Sequence, residues 1–365
     1  MSCPSTQRYP EIMSIRMLTA GFGLAAALSA QEAAQQSSVW SVDASGHRVE
    51  GPRYTYAESP GGSRRVETAQ SINGRMVPIQ SAEDRLIQQD SQSKVVERVI
   101  RKYDANGNPG PPIKVHIEEK KNSDGSTTIQ SSAYEADING NLHLFERSTS
   151  QIRNNGATET STTVERATLN GPLQTVERDS KVERPTGNGS QAESTTYRRD
   201  ISGNFTPFAQ EVKQITKSGA EQTTDAARYE LGPDGKLTLA ARAIDHVKKN
   251  PDGSEVSDMD VYAIFSTGRT VDLSSNPPRL QEQIHKERTP APGGKMVETT
   301  SVRARLPNDQ SSFGAYEKVS QTTYTSTDAS GREVKSVSTA VSRRDPNGDI
   351  VVDQGRVEQS VTTKK

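Results

Sequence analysis

The sequence predicts an all-β fold, an antiparallel meander of about ten long β-hairpin repeats. Three observations carry this: glycine turns that recur with a period of ~32 residues, apolar residues that alternate between them, and a low apolar content. Only 31% of residues are hydrophobic and the mean hydropathy is -0.77. A chain of 365 residues with so little apolar surface needs an architecture in which each unit packs only on its neighbours.

The glycines come first. Gly107, Gly140, Gly171, Gly203, Gly235 and Gly268 follow one another at 33, 31, 32, 32 and 33 residues. A second series, Gly125, Gly156, Gly189, Gly219 and Gly253, lies between them. Most sit in tetrads such as "DANG", "DING", "DISG" or "NNG", whose Asn and Gly tolerate the positive φ that tight hairpins demand. Weaker copies at Gly46, Gly62 and Gly74, and at Gly294, Asn308, Gly331 and Gly348, extend the array both ways.

Between turns the chain is rich in Thr, Val, Tyr and Ser and runs with period two. Leu237, Leu239, Ala241, Ala243 and Val247 alternate with Thr238, Arg242, His246 and Lys248, and Met259, Val261 and Ala263 follow the same rule. Alternation of this kind puts one face of each strand towards a core. "YEADINGNLHLFER" from Tyr134 returns as "YRRDISGNFTPFAQ" from Tyr197 and "YELGPDGKLTLAAR" from Tyr229. In this reading the tyrosine and the Leu or Phe after the glycine pack in the core, with Leu142, Leu237 and Leu239 buried. The opposite hairpin ends, such as "TSQIRNNGATETSTT", are polar on both faces.

The repeated motif resembles the tyrosine-aspartate repeats of bacterial Rhs-type proteins, which build spiralled β-sheet shells. The likeness covers about five of the ten repeats, with a longer period and more polar hairpin tips. The pattern is also similar to the β-flower, in which long hairpins radiate from a shallow barrel. These resemblances imply motif ends closing a ring or shallow barrel, with polar hairpins protruding. They bring no catalytic residue. A five-bladed β-propeller is the alternative architecture, and an open single-layer sheet the third.

Residues 1–30 read as a secretory signal: Arg16, an apolar run from Met17 to Leu28, then small residues ending at Ala30, with Met13 as an alternative start. Residues 31–37 form a linker, and 38–360 a single hairpin-repeat domain. The sole cysteine, Cys3, precedes the signal, so the mature chain has neither disulfide nor thiolate chemistry. The expected location is exported, periplasmic or at the cell surface.

Charge excludes more than it suggests. With 45 basic and 46 acidic residues interleaved along the strands, nothing predicts nucleic acid as a partner. The mature chain has no predicted transmembrane span, because stretches such as "ERDSKVERPTG" cannot face lipid. His47, His116, His143, His246 and His285 lack metal-ligand spacing. Asp258 and Asp260 share a strand face, the minimal arrangement for two-carboxylate glycan chemistry. The turns at Asp104 ("DANGN") and Asp345 ("DPNGD") are oxygen-rich but lack the distal ligand of a calcium loop. No catalytic, cofactor-binding or metal residue is therefore assigned, and no cofactor is expected. The functional expectation is a non-catalytic exported scaffold or binding protein displaying polar hairpins, with a surface glycan or protein as partner. The alternative is an extracellular glycan-acting enzyme with acids in a cleft.

Overall fold

The computed structural model describes residues 32–42, 47–58, 63–137, 139–168, 171–200, 202–232, 234–263, 278–293, 295–306, 309–329, 332–344 and 350–363. The signal segment, the turns at Gly46, Gly62, Gly268, Gly294, Asn308, Gly331 and Gly348, and Asp345 lie outside them. The first strands are β1 (Glu32–Val42), β2 (Arg48–Glu58), β3 (Arg64–Ile72), β4 (Arg75–Gln89), β5 (Ser93–Lys102), β6 (Ile113–Lys121) and β7 (Thr127–Ala136). Next come β8 (Leu142–Asn154), β9 (Thr158–Ala167), β10 (Leu173–Thr186), β11 (Gly189–Arg199), β12 (Phe205–Ser218), β13 (Glu221–Leu231) and β14 (Leu237–Lys249). The last are β15 (Glu255–Ala263), β16 (Arg279–Ala291), β17 (Lys295–Leu306), β18 (Asp309–Phe313), β19 (Glu317–Ala329), β20 (Arg332–Arg344) and β21 (Ile350–Thr363). The expected linker is thus strand: β1 begins at Glu32.

Each strand pairs antiparallel with the next, except that β17 pairs with β19 past β18, and β1 pairs with β21 from Glu32↔Thr363 to Ser41↔Gln354. That last pairing closes the sheet. β18 pairs only with β17, so twenty of the described strands form the wall. At about 4.8 Å per strand and the usual tilt, such a wall is a cylinder roughly 30–40 Å across. A ring was expected and a ring is present, but it is a large barrel, neither a shallow hub nor a propeller. The polar hairpins do not protrude as petals. They stand side by side and are hydrogen-bonded on both edges, which leaves no strand edge in the wall unpaired.

Turn chemistry follows the sequence closely. Asn73 (φ 51°) and Gly74 (φ 78°) make a two-residue turn with both residues left-handed, the geometry that matches strand twist. At the motif turns one aspartate organises the loop. Asp137 Oδ1 accepts the N–H groups of Asn139 and Asn141, each at 2.8 Å. Asp104 does the same with Asn106 and Asn108, and Asp200 with Ser202 and Asn204. Gly189 departs from expectation: it starts β11, and the turn falls on the residues just before it.

The repeated tyrosine has a different role from the one expected. Pairing slips by one residue at Ala133/Tyr134, Thr196/Tyr197, Arg228/Tyr229 and Val261/Tyr262. Each tyrosine therefore stands beside a β-bulge, whose extra residue on the partner strand is Phe145, Phe208, Ala240 or Gln281. Bulges sharpen twist and re-aim side chains. The bulge at Ala240 moves Leu237 and Leu239, opposite Leu231 and Tyr229, to the other face from Ala241 and Ala243. The single alternating face expected from Leu237 to Val247 is split there. Leu142 is 45% exposed, so it is not a core residue.

The apolar core is small. Among the described residues, Ala82, Ile100 and Val115 are the buried apolar side chains, with Ile113, Ile117 and Ala133 packed against them on β4 to β7. Most described side chains on the wall stay partly or fully exposed. Most of the wall is one layer thick and wetted on both sides.

Candidate functional site

Register carries one face continuously around the cylinder. It passes from Ala82 to Ile100, Ile113, Val115 and Ala133, and on through Glu146, Thr162, Asp179, Ala243 and Ile284 to Arg356, Ser37 and Tyr54. Side chains on the concave side of a barrel converge and cover one another. This face is the covered one. On β6, Ile113, Val115, Ile117 and Glu119 are sheltered while Lys114, His116, Glu118 and Lys120 are exposed. β14 shows the same contrast between Ala243 or Val247 and Arg242 or His246. The covered face lines the lumen.

The lumen is not greasy throughout, because charged pairs interrupt its aliphatic residues. Arg98 donates to Asp84 at 2.6 Å and 2.8 Å, with side chains only 6% and 14% exposed. Arg198 reaches Glu177 at 3.2 Å, Arg166 reaches Glu146 at 2.8 Å, and Arg64 reaches Glu58 at 3.2 Å. Ser257 donates to Asp245 and Thr196 to Asp179, both at 2.7 Å.

The outer face is charged at mid-height on strand after strand, as with the Arg242–Asp225 and Arg147–Glu165 pairs. A lipid-spanning barrel needs an unbroken outward apolar band about 25 Å tall. At mid-height the most sheltered aliphatic residues, Ile100 and Val115, face inward, the reverse of that polarity, whereas Leu237 and Leu239 near the motif mouth lie on the outer face. No helix among the described residues is long and apolar enough to cross a membrane.

The two mouths differ. Of the ten exposed large apolar side chains among the described residues, Val49, Leu142, Phe208, Leu231, Tyr316, Val341, Val351 and Val352 lie at the motif mouth, the end bearing Gly74, Gly107, Gly140, Gly203 and Gly235. That majority sets one mouth apart from the other, whose turns at Gly125, Gly156, Gly219 and Gly253 are polar. Arginines sit over aromatic rings at the motif mouth: Arg178 is 4.3 Å from the Phe205 centroid and Arg198 is 4.0 Å from that of Phe208. Such contacts hold the rings against the wall and keep a charge beside them.

The closing seam has its own packing. Trp40 of β1 stands opposite Gly355 of β21, and a β-carbon added at Gly355 would overlap its indole. Arg48 lies 4.9 Å from the indole centroid, and Arg356 donates across the seam to Ser37 Oγ at 3.1 Å.

The histidines are dispersed. His116 is on the outer face of β6. His143 touches Asp137 at 3.1 Å within a motif turn, where that bond and the backbone N–H groups of the turn hold the Asp137 carboxyl down at about 2. His246 Nδ1 is 3.0 Å from Thr223 Oγ1. His47 immediately precedes β2. Asp258 and Asp260 do share the outer face of β15, as expected, but each is engaged: Asp258 with His285 at 2.7 Å, Asp260 with Gln283 at 2.7 Å. Among the described residues no three His, Cys, Asp or Glu side chains converge to hold a metal ion. The Asp104 carboxylate is occupied by its own turn.

His285 also contacts Glu287 at 3.2 Å, and these two carboxylates raise its pKa above the usual 6.5. A group with a raised folded pKa contributes stability that is complete below its unfolded value and disappears as pH rises through the folded value. His285 is therefore expected to titrate above the usual imidazole value in an NMR pH series, and Asp258→Asn to bring it down. An unchanged His285 midpoint in that variant would disprove the bridge.

No protein-family model matches the chain, and no curated protein matches it. Among solved structures, it is similar to BauA, the ferric preacinetobactin receptor from Acinetobacter baumannii, at 10% identity and a TM-score of 0.37, over 91% of this chain and 80% of that one. It is similar to OmpF of Salmonella typhi, in complex with daunomycin, at 7% identity and 0.34, over 91% and 96%. A third is the FrpB iron transporter from Neisseria meningitidis, at 9% identity and 0.26, over 92% and 81%. At these scores the likeness assigns no function.

The expected scaffold displaying polar hairpins is overturned, and so is the glycan-acting enzyme. The hairpins are laid into one continuous closed wall and do not project from a hub. The acids meant for a cleft lie on the outside of that wall, each engaged by a neighbour. Sequence reasoning missed the lumen and the seam. The only local signs of them were the lone tryptophan near one terminus and a strand glycine near the other.

Proposed function

We propose that this is an exported envelope protein whose lumen provides a water-lined path for hydrophilic solutes. The observation that carries this reading is the closed single-layer wall of twenty strands, with charged and hydroxyl side chains on its inner face. A barrel of eight strands fills with its own side chains, whereas one of sixteen or more leaves an aqueous channel. The charged outer waist favours a barrel surrounded by water or protein along most of its height.

The test uses single cysteines in a Cys3→Ser background. Ala243→Cys faces the lumen at mid-height, and Ser161→Cys faces outward. A maleimide of a few hundred daltons is expected to label both. A maleimide on a polymer wider than the lumen should label only Ser161→Cys. Protection of Ala243→Cys from the small reagent would mean a collapsed wall, and equal labelling by the wide one would mean an open sheet. Either result ends the proposal.

A further inference from the structure

We infer that the path does not discriminate by charge, so that its solutes are uncharged or zwitterionic hydrophilic molecules and not ions of one sign. This rests on the conduit reading above and assigns its substrate class. Channels select ions by rings of one charge, which raise the local concentration of the opposite one. On the lumen face acids and bases are instead interleaved, some within one strand, as Lys181 with Glu183 and Arg228 with Glu230, and others as cross-strand pairs distributed around the cylinder. Glu58 pairs with Arg64 between β2 and β3, Asp84 with Arg98 between β4 and β5, and Glu146 with Arg166 between β8 and β9. Glu177 pairs with Arg198 between β10 and β11, and Glu255 with Lys249 between β14 and β15 at 3.6 Å.

In every case an acid and a base meet within one hairpin, so the field of each pair falls off as a dipole. Over a lumen tens of ångströms wide, at a Debye length of about 8 Å, such dipoles cancel before the axis. Between the pairs lie hydroxyls such as Ser148, Ser150, Thr162 and Thr196, which exchange hydrogen bonds with any polar solute regardless of sign. The chain as a whole repeats this balance, with 45 basic against 46 acidic residues.

The experiment is collisional quenching of a small neutral fluorophore on Ala243→Cys in the Cys3→Ser chain. Acrylamide, iodide and caesium are compared, each normalised to the same dye on Ser161→Cys. The normalised constants for the three are expected to agree within twofold at 20 mM and at 150 mM salt. If acrylamide fails to reach the lumen dye, the conduit reading itself falls. If acrylamide reaches it while iodide and caesium differ fivefold or more, the conduit stands and this inference falls. Arg98→Met and Asp84→Leu, made together, should leave the ratio unchanged. Arg166→Gln alone, which removes the cationic partner of Glu146, should favour caesium at low salt. No such shift would mean that the inner charges do not govern passage.

Discussion

Gly355→Val is expected to break the barrel at its seam. The β-branched side chain would need the space now held by the Trp40 indole, so either the ring leaves or the two strands part. Overpacking of this kind costs about 1–3 kcal/mol locally. Here the larger loss is closure, because β1 and β21 would become free edges and invite association. Trp40 is the chain's one tryptophan, so its emission reports the event directly. A red shift, an earlier thermal transition and concentration-dependent assembly are expected together. Gly355→Ala should show the same changes in weaker form. Wild-type emission and melting in the valine variant would mean that the seam is not held as described.

The second large effect is expected at the most sheltered ion pair among the described residues. Removing Arg98 leaves the Asp84 carboxylate, only 14% exposed, without its bidentate partner. Breaking a buried pair on one side costs about 3–5 kcal/mol. Arg98→Ala should therefore lower the denaturation midpoint far more than Arg242→Ala, whose pair with Asp225 is well exposed and worth about 1 kcal/mol or less. The double replacement Asp84→Leu with Arg98→Met should recover most of the loss, because neighbouring Ala82, Ile100 and Val115 already form an apolar patch. Equal effects for Arg98→Ala and Arg242→Ala would refute the burial assigned to this pair.

Local structure was legible in the sequence wherever neighbours decide it. The Asp-x-x-Gly turns, the period-two strands and the meander all depend on residues within one hairpin, and among the described residues the turns at Gly107, Gly140 and Gly203 and the meander appear as expected. What the alternation could not reveal is a bulge. Ala240 looks like any alanine in its strand, yet the slip beside Tyr229 sends Leu237 and Leu239 outward and leaves Ala243 and Val247 inside. Closure was illegible for a different reason. The contact between Trp40 and Gly355 joins opposite ends of the chain, and no local pattern records it. The candidate site was misread for the same reason. Hairpins polar on both faces suggested free tips, but a single layer with water on both sides needs the same composition. Asp258 and Asp260 were correctly placed on one face, and only the pairing of β15 with β16 reveals that His285 and Gln283 already occupy them.

The seam also governs how the chain comes together in time. Every other pairing in the wall joins strands that follow one another, with β18 alone passed over, and can zip as the chain emerges, whereas the bond from Arg356 to Ser37 spans 319 positions. Loop closure over that distance comes late and slowly, so for most of its synthesis the protein is a growing ribbon with two sticky margins. Glu32 stands opposite Thr363, which means the ribbon's two ends meet side by side at the same mouth. A circular permutant that links those ends and is cut at the Gly156 turn should rebuild the same cylinder, with its slow final step moved to β8 and β9.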